Sequence, residues 1–182
     1  MIHWPEKGKN NTEKTVKAAL DRARELEIKH IVVASNSGET AELFVGKGLD
    51  VVCVTHQVGF KDPGEDEMEP EMREKLSNQG VKILTTTHLL AGVDRALRFK
   101  FDGVHPAEIV ASSLRLLGQG FKVCVEISVM ALDSGLIPYG EEVIVVGGTN
   151  RGADAACVIV PAHSSQFFDT QVKEIICLPR EK

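Results

Sequence analysis

Ile31-Val32-Val33-Ala34-Ser35-Asn36-Ser37-Gly38-Glu39-Thr40-Ala41 reads as a β-strand that runs straight into a turn of hydroxyls and glycine and then into a helix. An unbroken apolar run rich in β-branched residues suits a strand covered on both faces, as parallel sheets require. The turn leaves backbone N–H groups without intrahelical partners at a helix N-terminus, where the helix dipole is positive. Such groups seat a phosphate or another small anion. The competing reading is local: Asn36 or Ser37 simply caps the helix.

The flanking sequence repeats this rhythm. Upstream, Val16, Ala19, Leu20, Ala23 and Leu26 paint one apolar stripe and predict a helix over 12–27. Downstream, a helix is expected over 39–47, stopped by Gly46 or Gly48. Asp50–Thr55 and Val81–Thr85 read as the second and third buried strands. Between them lies a polar segment, 61–69, expected as an exposed loop, and a short helix opened by Pro70. A mainly helical insertion around 88–135 follows, with one helix opened by Pro106. Residues 121–132 fit both periods; the helical reading is preferred because the run is long, with Glu126 placed on an exposed face. Glu142–Val146 and Cys157–Val160 are the fourth and fifth strands. Their connection is too short for a right-handed crossover, so the fifth strand is expected antiparallel. Glu174–Leu178 is a candidate final edge strand.

A chain of 182 residues, 43% hydrophobic, fits one domain spanning 1–182 with a sizeable core. The net charge of −5 and the lack of a Lys/Arg stripe argue against nucleic acid. No apolar run is long enough to span a membrane, and Met1–Lys7 does not read as a signal peptide, so a cytoplasmic protein is expected. Cys53, Cys124, Cys157 and Cys177 each sit in apolar surroundings without C-x-x-C spacing, which predicts reduced, buried thiols and no metal centre. Cys53, near a strand end, is the nearest of them to a candidate nucleophile. No G-x-G-x-x-G, P-loop or G-x-S-x-G motif is present.

The order of pieces resembles the C-terminal α/β domain of pyruvate kinase. The resemblance rests on 31–41, Val51–Thr55, Val143–Gly148 and Cys157–Pro161. Over nearly its full length the chain is similar to the small stand-alone pyruvate kinase C-terminal-domain-like proteins of prokaryotes. This likeness implies a three-layer α/β/α fold around a mostly parallel five-stranded sheet, order 3-2-1-4-5, with strand 5 antiparallel. It implies no pyruvate kinase activity for this chain, since the catalytic barrel has no counterpart in it. In some pyruvate kinases the first-strand loop holds the phosphate of an allosteric sugar phosphate. Here Glu39 stands where that loop often carries a basic residue. The stand-alone relatives are associated with bound flavin mononucleotide (FMN), and the family domain supplies subunit contacts, so FMN and homo-oligomer formation are the implied cofactor and assembly.

The implied order reverses between strands 1 and 4, where ligands of open α/β sheets bind beyond the strand ends. Two loops meet there. The first supplies Ser35, Asn36, Ser37, Gly38, Glu39 and Thr40 as candidate phosphate contacts. The second supplies Gly147, Gly148, Thr149, Asn150 and Arg151: glycines for a flat ring, polar groups for its edges and a cation for charge balance. Thr55, His56, Gln57, Thr87 and His88 follow the second and third strands and complete the candidate set. The expected function is binding of a phosphorylated small molecule, FMN first, with flavin redox chemistry if the protein is an enzyme. The alternative is a regulatory module that senses a sugar phosphate or nucleotide. No catalytic residue is assigned.

Overall fold

The computed structural model describes residues 1–181. Seven strands form one sheet: β1 (Ile2–Trp4), β2 (His30–Ala34), β3 (Asp50–Val54), β4 (Lys82–Leu84), β5 (Val143–Gly147), β6 (Ala155–Val160) and β7 (Gln171–Pro179). Their spatial order is β1-β7-β6-β5-β2-β3-β4. The five expected strands are β4-β3-β2-β5-β6, in the expected 3-2-1-4-5 order. β2 pairs in parallel with both β3 and β5, β3 with β4, and β6 runs antiparallel to β5.

Two features differ from the sequence expectation. The sheet has seven strands, because β7 pairs antiparallel with β6 and β1 then adds in parallel to β7. The tail strand is therefore internal and the N-terminal strand forms the edge. The helix expected over 39–47 is only α2 (Glu39–Glu42). Leu43, Phe44 and Val45 continue it through i→i+3 bonds to Thr40, Ala41 and Glu42, a tighter winding that accompanies full burial of Phe44.

The other helices are α1 (Thr12–Glu25), α3 (Pro70–Asn78), α4 (Gly92–Phe101), α5 (Pro106–Leu114) and α6 (Gln119–Asp133). The sheet is buried on both faces by strict alternation. Ile31, Val33, Ile144 and Val146 join α1, Phe44 and Leu76 in one core. Val32, Val143, Val145 and Cys157 join Phe121, Ile127 and Met130 of α6 in the other. Each such side chain contributes roughly 1.5–3 kcal/mol on burial, which makes both layers strong constraints on register. The segment 121–132 is helical, as preferred; a helix there gives the second face its cover. Among the described residues no helix is long and apolar enough to cross a membrane.

Candidate functional site

The parallel strands β2, β3, β4 and β5 all end at one edge of the sheet, so the segments after Ala34, Val54, Leu84 and Gly147 emerge side by side. A cleft of about 310 Å³ opens there, at the reversal of strand order between β2 and β5. Ser35, Asn36, Ser37, Glu39 and Thr40 form one wall, Thr55, His56 and His88 a second, and Gly148 and Arg151 a third. Gly38, Gln57, Thr87, Gly147, Thr149 and Asn150 stand off the lining.

Part of this set builds the site. The Ser35 hydroxyl accepts the Thr40 N–H at 3.1 Å and closes the loop. Thr55 is buried and its hydroxyl meets that of Thr85 at 2.7 Å, tying the ends of β3 and β4. Gly38 has φ +87°, and a Cβ there would fall 2.6 Å from Met72 Cγ of α3. Gly148 is required for space: a Cβ would lie 2.1 Å from the Gly152 carbonyl oxygen.

His56 is held on three sides. Its Nδ1 lies 2.6 Å from Glu67 Oε1. Its backbone N–H donates to Asn36 Oδ1 at 3.2 Å, and Asn36 Nδ2 lies 3.1 Å from His56 Nε2. Because the Asn36 oxygen is taken by the backbone, its amide must donate to Nε2. In this arrangement Nε2 accepts from Asn36 and the Nδ1–H is directed at Glu67. The Phe60 ring sits 3.8 Å from the His56 ring between centroids, and His88 lies 5.2 Å away. Burial pushes the His88 imidazole below its usual range, aided by His56 and Lys122 and opposed by Glu126 and a bond to the Thr55 backbone.

The insertion supplies the rest. Arg95 of α4 lies over the Phe60 ring at 5.1 Å and lines the cleft with Arg115, Gln119 and Lys122. Lys122 and Glu126 form a buried ion pair on α6, and Glu126 Oε1 accepts the Leu90 N–H at 2.8 Å. Glu126 was expected on an exposed face; it is 3% exposed because Lys122, one helical turn earlier, neutralises it inside the fold. That i,i+4 pair inside an apolar helix was the one available signal for this wall. Glu67 comes from the polar 61–69 segment, and Arg95 and Arg115 from helix ends whose placement depends on packing. Nothing in the local sequence marks them.

All four cysteines are free and buried. Burial pushes the Cys53 and Cys177 thiols up to about 12 and raises Cys124 as well. Cys53 Sγ donates to the Ser35 carbonyl at 3.4 Å, a packing role in place of a nucleophilic one. Among the described residues no group of three or more His, Cys, Asp or Glu is placed to hold a metal ion.

The fold and cleft define a three-layer α/β domain with its polar cleft at a topological switch point. The family model for the pyruvate kinase alpha/beta domain matches residues 13–159, and the chain belongs to that family. Among solved structures it is similar to pyruvate kinase of Cryptosporidium parvum, at 18% identity and TM-score 0.40, covering 81% of this chain and 22% of that one. A second structure of that enzyme gives 18% identity and TM-score 0.38 over 75% of this chain and 20% of the other. A third, in complex with ADP, gives 18% and 0.40 over 92% and 24%. This chain thus spans less than a quarter of the length of those pyruvate kinases.

Proposed function

We propose that the cleft binds a phosphorylated small molecule, with FMN the first candidate. The observation that carries this reading is the pairing of the arginines. Arg22, Arg24, Arg73 and Arg98 are each in an ion pair. Of the four arginines in no ion pair among the described residues, Arg95, Arg115 and Arg151 line the cleft and Arg180 lies at the end of β7; Arg115 also donates to Gln119 Oε1 at 2.7 Å. In a chain of net charge −5, unpaired guanidinium groups gathered at one concavity fit an anionic ligand. The phosphate faces Ser37, Thr40 and Arg151, and the Phe60–His56–His88 group offers a platform for a flat ring. The cleft volume is at the small end of ordinary ligand sites, which are roughly 300–1,000 Å³. FMN itself is the ligand implied by the resemblance to the small stand-alone proteins of this kind. If FMN is held, the redox chemistry is the flavin's, and these residues bind and orient it.

Visible absorbance of the purified protein, followed by FMN titration of stripped protein, tests the reading. Arg95→Ala, Arg115→Ala and Arg151→Ala are each expected to weaken FMN binding about tenfold or more, the worth of one charge-assisted hydrogen bond. Unchanged affinity in the triple variant refutes it. A colourless protein that ignores FMN and is stabilised by sugar phosphates or nucleotides selects the regulatory alternative. A cytoplasmic location and self-association complete the proposal. The latter is supported by the exposed apolar side chains Val93, Phe101 and Val104 around α4 and is read as a multiple of the single-chain mass in light scattering.

A further inference from the structure

We propose that His56 is the catalytic base of this cleft, oriented by Glu67, and that it moves a proton on a phosphorylated carbonyl compound. The inference rests on the phosphorylated-ligand reading above and adds a reaction to it.

The geometry is that of a base with an orienting carboxylate. Glu67 Oε1 lies 2.6 Å from His56 Nδ1 and accepts its proton, which leaves the Nε2 lone pair as the basic site. In a base of this kind the carboxylate fixes the tautomer and stabilises the imidazolium formed on protonation. The Asn36 amide, at 3.1 Å, donates to the Nε2 lone pair. Asn36 belongs to the 35–40 loop proposed to seat the phosphate, so a ligand group that takes the place of the Asn36 amide frees the Nε2 lone pair.

The rest of the cleft restricts what this base can do. The ring nitrogens of His56 meet only Glu67 and Asn36, and the Thr55 hydroxyl reaches just the His56 backbone carbonyl, at 2.8 Å, so a base-activated nucleophile is not built. All four thiols are buried. Cationic groups are present instead: Arg95 and Arg115 share the cleft with His56, while Lys122 is held by Glu126. A base facing cations suits removal of a proton from carbon beside a carbonyl. The C–H bond breaks, its proton passes to His56 Nε2, and its electron pair moves into the carbonyl as an enolate, whose oxygen the cations stabilise. Return of the proton to the same or the neighbouring carbon regenerates neutral His56. No other reactant is consumed, and the net reaction is exchange or isomerisation.

The test is solvent deuterium exchange followed by proton NMR. The probes are dihydroxyacetone phosphate, erythrulose phosphate and ribulose phosphate, with binding measured separately by calorimetry. The wild-type protein is expected to accelerate loss of the C–H signal beside the carbonyl in at least one probe. His56→Gln should lower that rate, measured at saturating probe, by roughly 10²-fold or more, the usual worth of a general base. Glu67→Gln should lower the rate at unchanged Kd, and the imidazole ¹⁵N shifts of His56 should pass from a single Nδ1–H tautomer to a mixture. That tautomer signature is read without any ligand, so it also reports on a variant of altered stability. A probe that binds without exchange, or exchange that survives His56→Gln, overturns this inference and leaves the ligand reading intact. Failure of all three probes and of FMN to bind overturns both.

Discussion

Two side chains on the cleft floor carry the sharpest energetic consequences. Lys122 and Glu126 are 6% and 3% exposed, and neither charge is tolerable there alone. Lys122→Met should cost about 3–5 kcal/mol in urea unfolding, because it strands the Glu126 carboxylate. Adding Glu126→Gln should recover most of that loss, since the amide oxygen still accepts the Leu90 N–H. A double variant as unstable as the single one refutes this account. His88 gives a pH dependence. Burial, chiefly, holds its folded-state pKa below the 6.5 of a free imidazole, so the unfolded chain takes up the proton first as pH falls. The stability contributed by neutral His88 is complete above 6.5, declines below it, and stops declining once His88 also titrates in the folded state. His88→Gln should flatten this limb of the stability profile measured by denaturant titration, and equal slopes in the two proteins would count against it. The sequence marked His56 and His88 through their position just past strand ends. It could not show their environments, because Glu67, Phe60 and Glu126 arrive from other segments.

Among the elements, α4 and α6 stand at opposite extremes. α6 buries nearly every residue from Gly120 to Leu132, and its cover of the sheet makes it legible as a helix despite its ambiguous period. α4 buries none of its ten residues. Isolated helices shorter than ~12–15 residues are marginal in water, so α4 depends on a few polar ties. Arg98 pairs with Glu108 at 2.9 Å, and the Ala107 N–H donates to Asp94 Oδ2 at 2.8 Å. Arg95 nevertheless reaches from this helix into the cleft. In protein dilute enough to run as a single chain, amides of α4 should exchange with deuterium far faster than those of α6, and saturation with FMN should slow α4 selectively through Arg95. Mass-spectrometric exchange reads both effects. Protection in α4 equal to that in α6, or no change on saturation, would contradict them. The opposite error at α2 has a related cause: the apolar spacing beyond Glu42 is real, yet Phe44 is buried through a tighter winding that periodicity alone cannot distinguish from an α-helix.

At the scale of the whole molecule, the two chain ends close the sheet and brace the site. The central order was legible because β5 and β6 are joined by 148–154, too short for a crossover. The outer strands were less so. β1 has three residues, of which only Trp4 is buried, and its partner β7 lies at the far end of the chain. No local pattern encodes such a pairing. Its consequence reaches the cleft. The Gly8 N–H donates to the buried Asp154 carboxylate at 2.8 Å, and the Ala153 N–H donates to Thr12 Oγ1 at 3.1 Å, so the N-terminal segment holds the loop that carries Gly148 and Arg151. Removing residues 1–4 takes away the pairing with Cys177–Pro179, the Arg180 N–H bond to Trp4 and the burial of the indole. Loss of a buried Trp side chain alone is worth about 3–5 kcal/mol. The truncated protein should melt several degrees lower and aggregate through the uncovered edge of β7, as unprotected edge strands do. Its FMN affinity should fall even well below the melting transition, because the segment bracing Asp154 has lost its own anchor. A truncated chain with the melting temperature and FMN affinity of the full one would show that β1 is dispensable to both sheet and site.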